Sequence, residues 1–196
     1  MSRTLFVGDV HSCSHELGVM LDSVQPTRVI LLGDVFNKGP DPDGTWELVK
    51  RWNAESVLGN HDIAVIERAR KGDVRAPEEA IAWLASLPLT IMGPGWVAVH
   101  GGLNPSGAEP TRKEATTIRR WPDDTDPNHP FWWELYQGER LVLYGHDAMR
   151  GLQDHRPRTL GLDTGCVYGN QLSGYILETN SVIQIPAAAV YQPTRS

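Results

Sequence analysis

The chain is short of cysteine, of positive charge and of long apolar runs, and each shortage removes a class of protein. Cys13 and Cys166 are the only cysteines in 196 residues, too few for a secreted disulfide framework and without CxxC spacing. Reduced thiols in a soluble, cytoplasmic protein are therefore expected. The formal net charge of −6 argues against a broad nucleic-acid surface, though it leaves room for a local cationic pocket for phosphate. No apolar run approaches the length of a membrane span. The opening MSRTLFVGDV reaches Gly8 and Asp9 after only a few apolar residues, so it reads as a strand and not as a signal peptide. What is present, 40% hydrophobic and 21% charged residues, suits a single domain over 1–196 with a buried core.

Short apolar runs alternate with helical patterns through the first half. Strands are predicted at Thr4 to Val7, Arg28 to Leu32, Glu55 to Leu58 and Trp96 to Val99. Helices are predicted at Ser14 to Val24, Asp43 to Trp52, Asp62 to Arg70 and Pro77 to Ser86. This β-α-β-α order implies an α/β fold with a largely parallel sheet, whose strand C-termini share one edge. Ligands bind at that edge in open α/β sheets. Residues around 104–137, rich in proline and tryptophan, read as a lid-like insertion over the edge. Beyond them, strands are predicted at Arg140 to Tyr144, Thr159 to Leu162, Tyr175 to Glu178 and Val182 to Ile185.

The polar residues that follow the apolar runs form one set: GDVH, GDVFNK, GNHD, VHGG and YGHD. A single Gly-Asp pair after a strand is often only a turn or a helix cap. A single His after a strand is more often structural than a ligand. Five such fragments in order, each closing a β-like run, are specific as a set. Carboxylate, amide oxygen and imidazole donors suit Mn, Fe, Zn or Co, and one carboxylate can bridge two ions about 3.5–4 Å apart. Such a pair lowers the pKa of a shared water and clamps phosphoryl oxygens.

These fragments resemble the calcineurin-like metallophosphoesterases, in the branch shared by the phosphoprotein phosphatases, and the likeness runs from Gly8 to at least Gly169. Within the branch, NKGP, YGHDA and LDTGCVYG are most similar to the symmetrical diadenosine tetraphosphatases. The resemblance implies a four-layer α/β/β/α sandwich and two divalent metal ions, usually Mn. It implies that Asp9, His11 and Asp34 hold one ion. Asp34 is shared with the second, which Asn60, His100 and His146 complete. It implies that a metal-bridging hydroxide attacks phosphorus while His61, outside the metal shell, protonates the leaving oxygen.

Two departures from the family pattern stand out. Ser12 replaces the glycine of the first motif, so that turn must use an ordinary conformation or tolerate strain. Asn37 and Lys38 stand where the protein phosphatases carry Asp and Arg. The Asn37 oxygen can still accept the imidazole N–H of His61, but without the full negative charge His61 becomes a stronger acid. Lys38 replaces a bidentate fork with a flexible point charge. Both changes are tolerable for a nucleoside-phosphate leaving group and costlier for an alkyl ester.

Arg119, or else Arg120, is expected as a second phosphate-binding cation. Adenine could stack on Trp121, Trp132 or Trp133, although such a cluster more often packs a lid onto a sheet. Asp163 is expected to be a buried hydrogen-bonding residue and Cys166 a small core residue. The predicted activity is symmetrical hydrolysis of dinucleoside polyphosphates, with a small-molecule substrate and no membrane partner. The alternative is a protein serine/threonine/tyrosine phosphatase with a phosphoprotein substrate, using the same bimetal centre. A non-catalytic binding module would have lost metal donors, and none is missing.

Overall fold

Every second residue of the central strands belongs to a different core, and this alternation defines the layers. In β1 (Thr4–Val7), Leu5 and Val7 face helices while Phe6 faces a second sheet. In β2 (Arg28–Leu31), Val29 and Leu31 face the helices and Ile30 the second sheet. The computed structural model describes residues 2–194. The remaining secondary structure is α1 (Ser14–Val24), α2 (Pro42–Arg51), β3 (Glu55–Ser56), α3 (Asn60–Ala69), α4 (Glu78–Ala85), β4 (Thr90–Gly93), β5 (Trp96–Val99), α5 (Arg112–Thr117), α6 (Trp132–Leu135), β6 (Leu141–Tyr144), β7 (Gln153–His155), β8 (Thr159–Gly161), β9 (Gln171–Ile176) and β10 (Ser181–Pro186).

The strands form two five-stranded sheets, ordered β10-β9-β1-β2-β3 and β4-β5-β6-β8-β7. Each holds a parallel triplet, β1-β2-β3 in one and β5-β6-β8 in the other, flanked by antiparallel strands. Phe6, Ile30, Leu32, Trp96, Leu143 and Leu160 fill the space between the sheets. Leu17, Met20, Leu21, Trp46, Val65 and Leu84 from α1 to α4 cover the outer face of the first sheet. Ala115, Ile118, Trp132 and Tyr136 cover the second. The result is the α/β/β/α sandwich that the resemblance implies.

The single, largely parallel sheet predicted from the β-α alternation is replaced by two mixed sheets. The missed strands explain the difference. β4 is half-exposed and β7 is the polar stretch QDH, so neither carries the apolar signature of a buried strand. β4 pairs antiparallel with β5 and opens the second sheet. Strand β9 starts at Gln171, four residues before the apolar run suggested, because Ser173 and Gly174 pair with Gln184 and Ile183 of β10. Residues 104–137 supply the outer layer of the second sheet through α5, α6 and Trp132. Among the described residues, no helix is long and apolar enough to cross a membrane.

Candidate metal centre

The six proposed metal donors leave the C-terminal ends of five parallel strands. Asp9 and His11 follow β1, Asp34 follows β2, and Asn60 begins α3 just after β3. His100 follows β5 and His146 follows β6 in the other sheet. Two of the glycines preceding donors are there because the loops abut. A Cβ on Gly59 would stand 2.2 Å from Asp34 Oδ1, and one on Gly145 would stand 2.2 Å from Asp9 Oδ1. No side chain fits at that distance, which is why the motifs read GN and GH.

The loops are held in a costly conformation. His11, Ser12, Asp34, Asn37, Lys38 and His146 all have positive φ, between 48° and 76°. Each such residue costs about 1–2 kcal/mol relative to ordinary backbone, and clusters of this kind mark functional sites. Ser12, with φ at 62°, therefore takes the strained of its two options. Backbone bonds hold it there, from Ser12 N–H to Val35 O at 2.8 Å and from Asp41 N–H to Ser12 O at 3.2 Å.

Asp34 lies at the centre. Its Oδ1 is 3.4 Å from His100 Nε2, and its Oδ2 is 3.7 Å from His11 Nε2. One carboxylate thus faces an imidazole of each sheet with a different oxygen. Burial alone would raise the Asp34 carboxyl, but His100 and His11 outweigh it and hold the pKa well below the usual range. Burial pulls His100 down, yet Asp34 and Asp9 override it and lift the imidazole to about 10. Burial dominates at His11, whose pKa falls to about 3 despite Asp34. Burial, then Asp163, raises Asp9.

The donor set fits a divalent cation on hydrogen-bonding grounds. Burial and His100 hold the His146 pKa well below its ordinary value, so the neutral ring has one proton to share. Its Nε2 lies 3.0 Å from Thr117 O and its Nδ1 lies 2.9 Å from Asn60 Oδ1. Whichever nitrogen carries the proton, the other aims a lone pair at an oxygen. Asn60 Oδ1 is also 3.0 Å from His100 Nε2, whose Nδ1 donates to Leu32 O at 2.7 Å. A cation between His146 Nδ1 and Asn60 Oδ1 would turn that repulsion into ligation, and at His100 it would take the place of the Nε2 proton. At His11, Nδ1–H donates to Phe36 O, and the lone pair of Nε2 meets the Lys38 ammonium at 3.2 Å, so a cation already stands beside this donor.

The remaining candidates divide. His61 borders the cleft, and the amide of Asn37, which lines the recess beside it, lies 3.1 Å from His61 Nδ1. Burial, with Lys38 and Arg68, lowers the His61 pKa against the pull of Asp34. Arg119 lines the metal cleft and donates to His146 O at 3.3 Å. Arg120 turns away, donating to His129 O and lying 4.1 Å over the Phe131 ring. Trp121, a candidate for stacking on a base, packs on the outer-face core, where Arg120 and Phe131 pair as a bridge and Trp121 N–H bonds Pro130 O. Trp132 is 1% exposed and donates to Gly101 O, while Trp133 stacks on His155. Neither ring borders the cleft. The residues missed in the sequence are Asp62, which accepts from the N–H groups of Val35, Phe36 and Gly59, and Tyr168, whose hydroxyl accepts from Lys38 at 2.9 Å. Asp62 was visible as the last letter of GNHD, at the N3 position of α3; nothing in the sequence singles out Tyr168.

Three recesses adjoin. The metal cleft, about 280 Å³, shares Lys38, Asn60, His61 and Tyr168 with a larger recess of about 980 Å³ that Arg68 and Arg75 also line. On another side it shares Arg119 and Asp147 with a recess of about 490 Å³ lined by Arg120 and Arg150. Met149, 80% exposed, borders all three.

A two-sheet sandwich whose strand ends gather buried carboxylate, amide and imidazole donors defines a metal-dependent phosphoester or phosphoanhydride hydrolase. Sequence comparison makes the membership specific: the chain belongs to the calcineurin-like phosphoesterase family, matched over residues 2–180. Among its relatives is the symmetrical bis(5'-nucleosyl)-tetraphosphatase of Aromatoleum aromaticum, 27% identical, with 92% of this chain and 96% of the relative covered. An asymmetrical bis(5'-nucleosyl)-tetraphosphatase of Anoxybacillus flavithermus is 24% identical, with 94% of each covered. Among solved structures, one described as a "putative diadenosine tetraphosphatase" superposes with a TM-score of 0.88 at 32% identity, over 95% of this chain and 94% of that one.

Proposed function

We propose that this chain hydrolyses dinucleoside polyphosphates, splitting diadenosine tetraphosphate and one water into two ADP. The observation that carries the reading is the placement of Asp34, one carboxylate oxygen toward His11 and the other toward His100, in a cleft open to a cationic recess on two sides. Asp9, His11 and Asp34 would hold one divalent ion, and Asp34, Asn60, His100 and His146 the other, with manganese the favoured metal. When bound, the ions would acidify a water between them and offset charge on the phosphoryl oxygens.

The chain's own groups do the rest. Lys38, steadied by Tyr168, and Arg119, steadied by His146 O and Asp147, both line the cleft and would orient the phosphates around the scissile bond. The recesses beyond them, with Arg68 and Arg75 on one side and Arg120 and Arg150 on the other, suit a substrate carrying a nucleoside phosphate at each end. His61 gives a proton to the leaving phosphate oxygen. Its lowered pKa leaves it largely neutral at pH 7, which a good leaving group such as ADP tolerates.

The test compares the manganese-loaded protein on diadenosine tetraphosphate, ATP and phosphopeptides, with products resolved. ADP as sole product from the tetraphosphate is expected. AMP with ATP as products, or turnover of phosphopeptides alone, would overturn the proposal.

A further inference from the structure

A second cluster of metal-ligating side chains lies outside the cleft, and nothing in the proposed reaction uses it. Cys13, the residue before α1, Glu16 in its first turn and Cys166 in the turn Cys166–Tyr168 each place a ligand atom within 4.8 Å of the others. All three are buried, at 0%, 0% and 2% exposure. Glu16 is the informative member. Its Oε1 accepts two hydrogen bonds, from Ala188 N–H and from the Tyr191 hydroxyl, each 2.8 Å. Its Oε2 is fully buried and has no hydrogen-bond partner among the described residues. One carboxylate oxygen is thus fixed by two donors while the other is left bare, in a side chain whose carboxylate lies within 4.8 Å of both sulfurs. Carboxylates that ligate metals are oriented in this way by outer hydrogen bonds.

We infer that Cys13, Glu16 and Cys166 form a structural site for a thiophilic divalent cation such as zinc, separate from the hydrolytic centre. Tetrahedral zinc, with Zn–S about 2.3 Å and Zn–O about 2.0–2.2 Å, spaces its ligand atoms about 3.4–3.8 Å apart. A modest contraction of the cluster reaches that spacing. Two thiolates and a carboxylate around a divalent ion leave one net negative charge. The N-terminal end of α1, where Cys13 and Glu16 sit, is the positive end of a helix dipole and favours it. Softness separates the two sites: the cleft offers only nitrogen and oxygen donors, this cluster two sulfurs. The bound ion would join the start of α1 to the Cys166 turn. It would also steady the C-terminal strap, whose Tyr191 and Gln192 N–H groups bond Val167 O and whose Gln192 and Pro193 line the largest recess.

Cobalt(II) titration of the metal-stripped full-length chain tests this. Thiolate-to-cobalt charge-transfer absorption in the near ultraviolet reports the cluster alone, since no proposed ligand of the cleft is sulfur. Its growth to one cobalt per chain is expected, with loss of that ion and of the band in Cys166→Ser and in Cys13→Ser. A folded wild-type protein without the band, or a band surviving in both variants, would overturn the inference. A readout on wild type alone guards against misfolded variants: zinc should slow reaction of the two thiols with an aromatic disulfide reagent in mild denaturant, and unchanged rates would count against the site. Neither measurement depends on which substrate the cleft hydrolyses.

Discussion

Asn37 and His61 meet through nitrogen: the amide Nδ2 donates to the imidazole Nδ1 across 3.1 Å. The sequence predicts the reverse, with the amide oxygen accepting from the ring. The difference follows from protonation. The lowered pKa keeps His61 neutral, so Nδ1 offers a lone pair and the ring proton stays on Nε2. Protonation makes Nδ1 a donor, and rotation of the amide brings its oxygen round to accept. Asn37 can therefore bond His61 in either protonation state, without the charge that would favour one of them.

Asn37→Asp should add that charge and raise the His61 pKa by about one unit or more. A general acid works only while protonated, so the alkaline limb of the kcat–pH profile should move up by the same amount. Phosphopeptide turnover should gain relative to polyphosphate turnover, because poor leaving groups depend more on the acid. A profile and a substrate preference that both stay put would remove Asn37 from this role.

Ser12→Gly should be neutral or stabilising, by up to about 1 kcal/mol. The left-handed φ of 62° is relieved, and among the described residues the Ser12 hydroxyl makes no hydrogen bond that would be lost. The gain is limited because glycine also loosens the unfolded chain. Urea denaturation of the two proteins, with diadenosine tetraphosphate turnover as a control, measures it. A loss of more than 1 kcal/mol would mean that the serine does something its backbone does not reveal.

The strand ends were legible because each donor directly follows an apolar run, and β1 and α1 fall where the pattern puts them. The two-sheet division was legible only through the family resemblance and not in the strand pattern, since a parallel strand buried on both faces reads alike in either sheet. β5 carries the same apolar signature as β1, so His100 gave no sign that it approaches from the other sheet. Trp121 shows the same limit. Its ring could have faced either way, and the bridge between Arg120 and Phe131 decided it. The strain at Lys38 and His146 arises only when the loops of both sheets close together, so no single motif predicts it.

Asp62 should be a stability residue and not only a neighbour of the acid. Its Oδ1 takes the N–H groups of Val35 and Phe36, at 3.0 and 3.3 Å, and its Oδ2 takes that of Gly59 at 3.2 Å. It thereby ties the Asp34 loop to the start of α3. Asp62→Ala leaves these three buried donors without an acceptor and should cost about 3 kcal/mol or more. Asp62→Asn keeps one acceptor oxygen and should cost less. Equal loss in the two variants, by chemical denaturation, would show that the side chain matters for volume and not for its oxygens.

Removal of the metal ions should make stability fall as pH rises from 7 to 10. The folded pKa of His100, about 10, lies above its unfolded value of about 6.5. The proton it holds therefore contributes stability that is complete below about pH 6.5 and lost as pH rises through the folded value. The slope should reach about 1.4 kcal/mol per pH unit. On the acid side shifts of both signs meet. His11, lowered to about 3, and His61 and His146, also lowered, cost stability as pH falls below about 6.5, while Asp62, raised to about 7, returns some by taking up a proton in the fold. Loading with manganese should remove the alkaline loss if His100 is a ligand, because a bound ion would take the place of the proton on its ring. Denaturation of chelated and manganese-loaded protein at pH 7, 8 and 9 separates the outcomes. If the chelated protein kept its stability across that range, the charge on His100 would not be what holds the empty centre together.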